Sequence, residues 1–210
     1  MTRRHFHCVA IGGVAGATAQ ADELAGKDGV LSWYSGDWRS GVVGVANWYV
    51  SGTEFSRVYD TFAVPAPGWN VTAVFTDNAM EHGATMAAWE IRQGMAPGKS
   101  GTLIGWGIHK VTQTQLAEDD PPLKHYRIQV SGLNLKLSPG SYWLSVAPVA
   151  AGQSYASATV GENAKGGPRL SSGVALLHST SGHNFMSVDQ MHFPKGQSPK
   201  HFSQGVIALL

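Results

Sequence analysis

Glu90 stands between Trp89 and Ile91 in a strand-like stretch, where burial could lift a carboxyl toward the range of a general acid. Cleaving a glycosidic bond takes a second carboxylate, about 5–5.5 Å away for retention or about 6.5–9.5 Å for inversion. Asp60, Asp77 and Glu81 are the candidates for that partner. A metal reading starts from His178 and His183, with His192 or His201 beyond. Their spacing fits neither a helical i, i+4 pair nor a strand i, i+2 pair, so these imidazoles are expected at the surface and no metal or other cofactor is expected. Asp77, Asn78 and Glu81 could offer oxygens to calcium, but the EF-hand pattern is missing. The strained Gly-x-Ser-x-Gly elbow of a serine hydrolase is also missing. Gly105-Trp106-Gly107 joins strand-like segments with no following helix to receive a phosphate.

Aromatic side chains make the stronger case for a binding surface. Trp33, Tyr34, Trp38, Trp48 and Tyr49 cluster near one end of the chain. A flat indole can stack on the C–H face of a sugar, and an exposed Trp is costly without a partner. Ser35-Gly36-Asp37 and Arg39-Ser40-Gly41 flank Trp38 with turn residues, which would let it project from a loop. Trp33, Trp38, Trp48 and Tyr49 are therefore the candidate binding residues; packing at the end of a sandwich is the competing role. Trp69, Trp89 and Trp143 lie in strand-like runs and are expected to pack.

The elements that must position these groups read as strands. Val42–Val50, Arg57–Val64, Trp69–Thr76, Thr85–Arg92 and Thr102–Ile108 are bounded by Gly, Pro and Ser turns. Lys124–Val130 alternates, with Tyr126, Ile128 and Val130 on one face and His125, Arg127 and Gln129 on the other. Leu133–Leu137, Ser141–Val149, Gly173–His178 and Gln204–Leu209 follow, while 161–172 and 179–203 read as long loops. Ten to twelve short strands predict an all-β, antiparallel, jelly-roll-like β-sandwich in one domain spanning 22–210.

Residues 1–21 read as a cleaved signal peptide. Arg3 and Arg4 precede a short, weakly apolar run, and Ala19-Gln20-Ala21 offers a small-x-small cleavage site. The paired arginines are twin-arginine-like, an export address rather than an anchor. Gly12, Gly13 and Gly16 disfavour a helix here at roughly 1 kcal/mol each. The run is also too short for a membrane span, which needs about 20 apolar residues. Cys8 is the one cysteine, and its position ahead of the apolar run argues against a lipidated form. Without it the chain has no disulfide framework and no thiolate metal site.

Fifteen basic residues against 14 acidic give a net charge of +1, and loss of Arg3 and Arg4 leaves one negative charge. A near-neutral chain lacks the basic footprint of a nucleic-acid binder, and no basic amphipathic stretch suits a membrane surface. Glu118-Asp119-Asp120 ahead of Pro121-Pro122 reads as a solvated loop.

Three segments carry a resemblance. Tyr59-Asp60-Thr61-Phe62-Ala63-Val64-Pro65 leads into Trp69-Asn70-Val71-Thr72-Ala73-Val74-Phe75; Ala88-Trp89-Glu90-Ile91-Arg92-Gln93-Gly94 leads on to Gly101-Thr102-Leu103; Gln129-Val130-Ser131-Gly132-Leu133 continues into Pro139-Gly140-Ser141-Tyr142-Trp143-Leu144-Ser145-Val146-Ala147-Pro148. This pattern resembles a group of exported bacterial β-sandwich proteins of unknown activity, many of them carrying a PEP-CTERM sorting tail. The resemblance covers most of 55–205 and implies secretion and a jelly-roll-like core, with no defined substrate. The Pro-Glu-Pro tail does not follow Gln204–Leu210, so a released periplasmic or extracellular product is expected.

The expectation is an exported, non-catalytic binding module whose partner is a glycan or another cell-surface component. An extracellular glycan-cleaving enzyme and an envelope or matrix structural protein are the rival readings.

Overall fold

A computed structural model describes residues 29–39, 44–117, 123–150, 153–166, 175–193 and 199–210. Residues 1–21, read above as a signal peptide, the acidic stretch 118–120 and the part of the expected loop 161–172 from residue 167 onward lie outside the described residues.

Sixteen strands form among the described residues, in chain order. The first eight are β1 (Val30–Tyr34), β2 (Val45–Ala46), β3 (Trp48–Ser51), β4 (Glu54–Val64), β5 (Trp69–Met80), β6 (Met86–Gln93), β7 (Thr102–Lys110) and β8 (Thr112–Ala117). The rest are β9 (Lys124–Leu137), β10 (Gly140–Pro148), β11 (Ser154–Ala156), β12 (Ala158–Thr159), β13 (Leu176–Ser179), β14 (Met186–Ser187), β15 (His201–Phe202) and β16 (Gln204–Leu209). Two seven-stranded antiparallel sheets pack face to face as a β-sandwich. The first runs β1-β16-β5-β11-β2, with β9 on β5 and β8 on β9. The second runs β14-β13-β4-β10-β6-β7, with β3 on β4.

Strand alternation builds the core between the sheets. Phe62, Trp89, Ile91, Tyr142, Leu144 and Val146 point inward from the second sheet. Val71, Val74, Ile128, Val130 and Val206 meet them from the first, with Trp33 of β1. Phe62 lies within 5.3 Å of the Trp33 ring, 5.7 Å of Tyr142 and 6.1 Å of Trp69. Burying each such side chain stabilises the fold by about 1.5–3 kcal/mol. A second apolar cluster, containing Val45, Val58, Leu177, Val188 and Phe202, fills the far end.

Buried polar side chains also lie between the layers. Asn47 donates from its amide to the Val146 carbonyl at 2.9 Å and to Asn78 Oδ1 at 3.3 Å. Its backbone carbonyl accepts from Ser154 Oγ at 2.7 Å. Asp60 accepts from the Phe202 amide at 3.0 Å and stands 2.9 Å from His201 Nδ1. Satisfied networks like this specify one register, because slipping would strand buried polar groups.

Several strand expectations change in detail. The apolar run Val42–Val50 looks continuous, yet the chain leaves the first sheet after β2 and enters the second at β3, with Asn47 as the crossing residue. Lys124–Val130 and Leu133–Leu137 are a single strand, β9: Gly132 takes φ 76°, and the register with β5 shifts there instead of ending. Within the expected loop 179–203, β14 pairs with β13, β15 pairs with β12, and Phe185 and Val188 are buried. β1 and β8 were not expected as strands; β1 pairs with β16, and β8 pairs with β9.

Candidate functional site

The outer face of the second sheet carries a cluster of charged side chains beside an exposed apolar rim. Along β6 the inward set is Ala87, Trp89 and Ile91, leaving Met86, Ala88, Glu90 and Arg92 outward. The register places Glu90 between Ser145 of β10 and Trp106 of β7. Arg92 lies opposite Trp143 on one side and Leu103 on the other. On β4 the outward residues include Arg57 and Tyr59, which face His178 and Leu176 of β13.

Three donors converge on Glu90. Arg57 Nη1 binds Oε1, Arg92 Nε binds Oε2 at 2.6 Å, and the Tyr59 hydroxyl donates to Oε2 at 2.9 Å. The ion pairs are mostly shielded: the side chains are 7% exposed for Arg57, 12% for Glu90 and 17% for Arg92. Aromatic rings wall the charges in. The Arg57 guanidinium lies 4.9 Å from the Tyr49 ring centroid and 5.3 Å from that of Phe55, and Arg92 lies 5.9 Å from that of Phe185. Burial pushes the Tyr59 hydroxyl above its ordinary value and the Arg57 guanidinium below its own. His178 lies 4.1 Å from the Phe185 ring and is held below its ordinary value by burial, then by Arg57 and Arg92. Phe185 itself takes φ 49°, a left-handed conformation that costs a non-glycine residue about 1–3 kcal/mol.

Two buried polar atoms here have no hydrogen-bond partner among the described residues: Ser145 Oγ and Arg57 Nε. Such atoms are uncommon in native interiors. Beside them β7 forms the rim. Trp106 is 59% exposed, and Leu103, Ile108 and Met86 are exposed with it on the same face. The glycines around Trp106 explain its direction. A Cβ at Gly105 would come 2.9 Å from Leu135 Cδ2 and 3.3 Å from Trp89 Cη2, and one at Gly107 would come 3.2 Å from Trp89 Nε1. The inward side of β7 is thus vacated for the Trp89 indole, and Trp106 turns out.

The outer face of the first sheet holds a counterpart. Arg127 on β9 grips Asp77 on β5 through two bonds of 2.7 Å, from Nε to Oδ1 and from Nη2 to Oδ2. Ser203 donates to Asp77 Oδ2 at 2.6 Å, and the Tyr34 hydroxyl accepts from Arg127 at 3.0 Å while donating to Asp37 at 2.7 Å. Burial works against the Arg127 charge, but Asp77 and the bonds to it outweigh this and hold the guanidinium above its ordinary value. Burial first, then Asp77, pushes the Tyr34 hydroxyl up. Asp77 is wholly buried.

The sequence candidates fall in different places. Trp33 is buried in the core against Phe62. Trp38 stacks on the His125 ring with centroids 3.8 Å apart, over the outer side of the first sheet. Trp48 and Tyr49 lie on β3, and of the four only Tyr49 reaches the Glu90 cluster. Of the carboxylates weighed as partners for Glu90, Asp60 points inward to His201, Asp77 belongs to the other sheet, and Glu81 follows the end of β5 in that other sheet. His178 packs on Phe185, His183 Nδ1 lies 2.9 Å from Ser179 Oγ, and His201 meets Asp60. Among the described residues no group of three or more His, Cys, Asp and Glu is placed to hold a metal ion. No helix among them is long and apolar enough to cross a membrane.

Trp106, Arg57 and Arg92 were not singled out from sequence. The alternation Gly105-Trp106-Gly107 was the available signal, since small residues on one strand face imply a bulky neighbour there and an outward Trp. Glu90 and Arg92 also share a face by their i, i+2 spacing, whereas Arg57 arrives from another strand. Compared with known proteins, the chain matches no family model, no curated protein and no solved structure.

Proposed function

We propose that the protein is an exported, non-catalytic module that binds a glycan against the outer face of its second sheet. The observation that carries this reading is Trp106, a large flat indole 59% exposed beside Leu103 and Ile108. Contiguous exposed apolar surface of this kind marks an interaction site, and an indole next to charged hydrogen-bonding groups suits a sugar ring. The proposed binding residues therefore move from Trp33, Trp38 and Trp48 to Trp106, with Tyr49 retained at the edge of the cluster.

Both oxygens of Glu90 accept from positively charged or phenolic donors, an arrangement that suits an anchor for two arginines better than a proton donor. Affinity electrophoresis against a panel of polysaccharides tests the reading. Trp106→Ala should weaken retention on the bound polysaccharide by roughly tenfold or more, on the scale of one stacked ring, while Trp38→Ala leaves it unchanged. Equal retention of Trp106→Ala and wild type would overturn it. Release of reducing ends that disappears in Glu90→Gln would establish the enzyme instead, and concentration-dependent self-association lost in Trp106→Ala would establish a structural assembly.

Export rests on residues 1–21. A reporter that matures only after folded export, fused to residues 1–30, should be exported, and Arg3→Lys with Arg4→Lys should block it.

A further inference from the structure

Charge on the outer face of the second sheet is not balanced, although the whole chain is close to neutral. Alternation and register put Arg57, Arg92 and Lys110 on this face, with Met86 opposite Lys110. Among the described residues placed there, Glu90 is the one carboxylate. Lys99 is exposed on the loop whose Ser100 carbonyl accepts from Arg92 Nη1 at 3.3 Å. His178 beside Arg57 adds no compensating negative charge. Two guanidiniums share a single carboxylate, and that leaves a positive excess at the border of an apolar strip. The buried Arg57 Nε, without a partner among the described residues, is a further donor of this cluster left unused.

Resting on the glycan reading above, we infer that the site takes an acidic glycan, with a sugar ring on Trp106 and its anionic group directed to Arg92, while Lys110, on the other side of Trp106 along the sheet, meets an anionic group further along the polymer. The positive excess supplies what a neutral sugar would not use. Arg92 is the more open of the two guanidiniums, and its planar fork matches a carboxylate geometrically. Trp106 and Arg92 flank the Glu90–Leu103 corner of the same sheet, so ring and charge can be met together. A uronate carboxylate and a sulfate ester share this chemistry.

Affinity electrophoresis of the full chain with polygalacturonate, its fully methyl-esterified form and a sulfated galactan separates the possibilities. Polygalacturonate or the sulfated polymer should retard the protein, the esterified neutral polymer should not, and the ratio of the two acidic responses identifies the group. Arg92→Ala should weaken binding by roughly tenfold to a hundredfold, as expected for a charge-assisted hydrogen bond. Lys110→Gln, at an exposed position, should weaken it by about twofold and reduce its salt sensitivity. The Lys110 variant keeps the test decisive if Arg92→Ala fails to fold. Equal binding of the esterified and acidic polymers would overturn the acidic-ligand inference and leave the glycan reading standing. Binding to no polysaccharide, neutral or acidic, would overturn both.

Discussion

Asp77 and Glu90 are both clasped by arginine and tyrosine on the outer face of a sheet, but only Glu90 lies beside an open rim. Around Asp77 one guanidinium meets one carboxylate through two bonds, and Tyr34 and Ser203 close over the pair. Around Glu90 two guanidiniums compete for one carboxylate, and an exposed Trp106 stands next door. The contrast separates fastening from recognition. A paired and sealed charge has no interaction left for a ligand, whereas an unevenly paired charge near solvent does.

The largest test of that contrast is Arg127→Met. It leaves Asp77 buried without its countercharge, so urea denaturation should show a loss of about 3–5 kcal/mol. A loss under about 1 kcal/mol would mean that the sealed cluster fastens little. Gly205→Ala probes the same region by packing. Its new Cβ would run into the Phe75 ring, which lies 4.4 Å from the Arg127 guanidinium, and about 1–3 kcal/mol should be lost.

On the other sheet the effects should be smaller. Glu90→Gln removes the charge but keeps the shape, and should cost about 1–2 kcal/mol in the same assay. If it costs as much as Arg127→Met, the two clusters are equivalent fasteners. A pH series sharpens the difference further. His178 is held below its ordinary value of 6.5 by burial, Arg57 and Arg92, so just below that pH the unfolded chain binds more protons than the folded one. This share of stability is present above pH 6.5 and is lost as pH falls toward the folded value. His183 is shifted in the same direction by burial. Urea midpoints should therefore drop between about pH 7 and about pH 5, with a shallower drop in His178→Gln. Smallest of all, Trp106→Ala should change stability by less than about 0.5 kcal/mol, because an exposed side chain supports little of the fold.

Sequence pattern was informative about faces and uninformative about covers. In β9 the alternation correctly separates Ile128 and Val130, which enter the core, from His125 and Arg127. Yet His125 and Arg127 are buried too, because Trp38, Tyr34 and Ser203 fold over them from distant parts of the chain. Periodicity reports which side a residue points to, and long-range closure decides whether that side meets water. Asn47 shows the same limit inside one run. Its neighbours all suit a strand, but its side chain is satisfied by Val146 and Asn78 on different layers, so the strand breaks there. The Glu90 site was half legible. The Glu90–Arg92 pair follows from spacing along one strand, while Arg57 and Trp106 come from strands whose neighbours only the topology reveals.

The placement of β16 has a consequence for the order of events during synthesis. It lies between β1 and β5, so Val30 finds its partner in Ala208, almost the full described length away. Tyr34 and Ser203 likewise reach Asp77 from opposite ends of that length. A ribosome releases the early strands well before this slot can be filled, and contacts so distant in sequence form slowly. Until Gln204–Leu209 has emerged, β1 has only the single bridge from Tyr34 to Lys165 among the described residues, and one side of β5 is open along residues 70–76. The nascent chain thus carries an unpaired edge that only its last described strand can close.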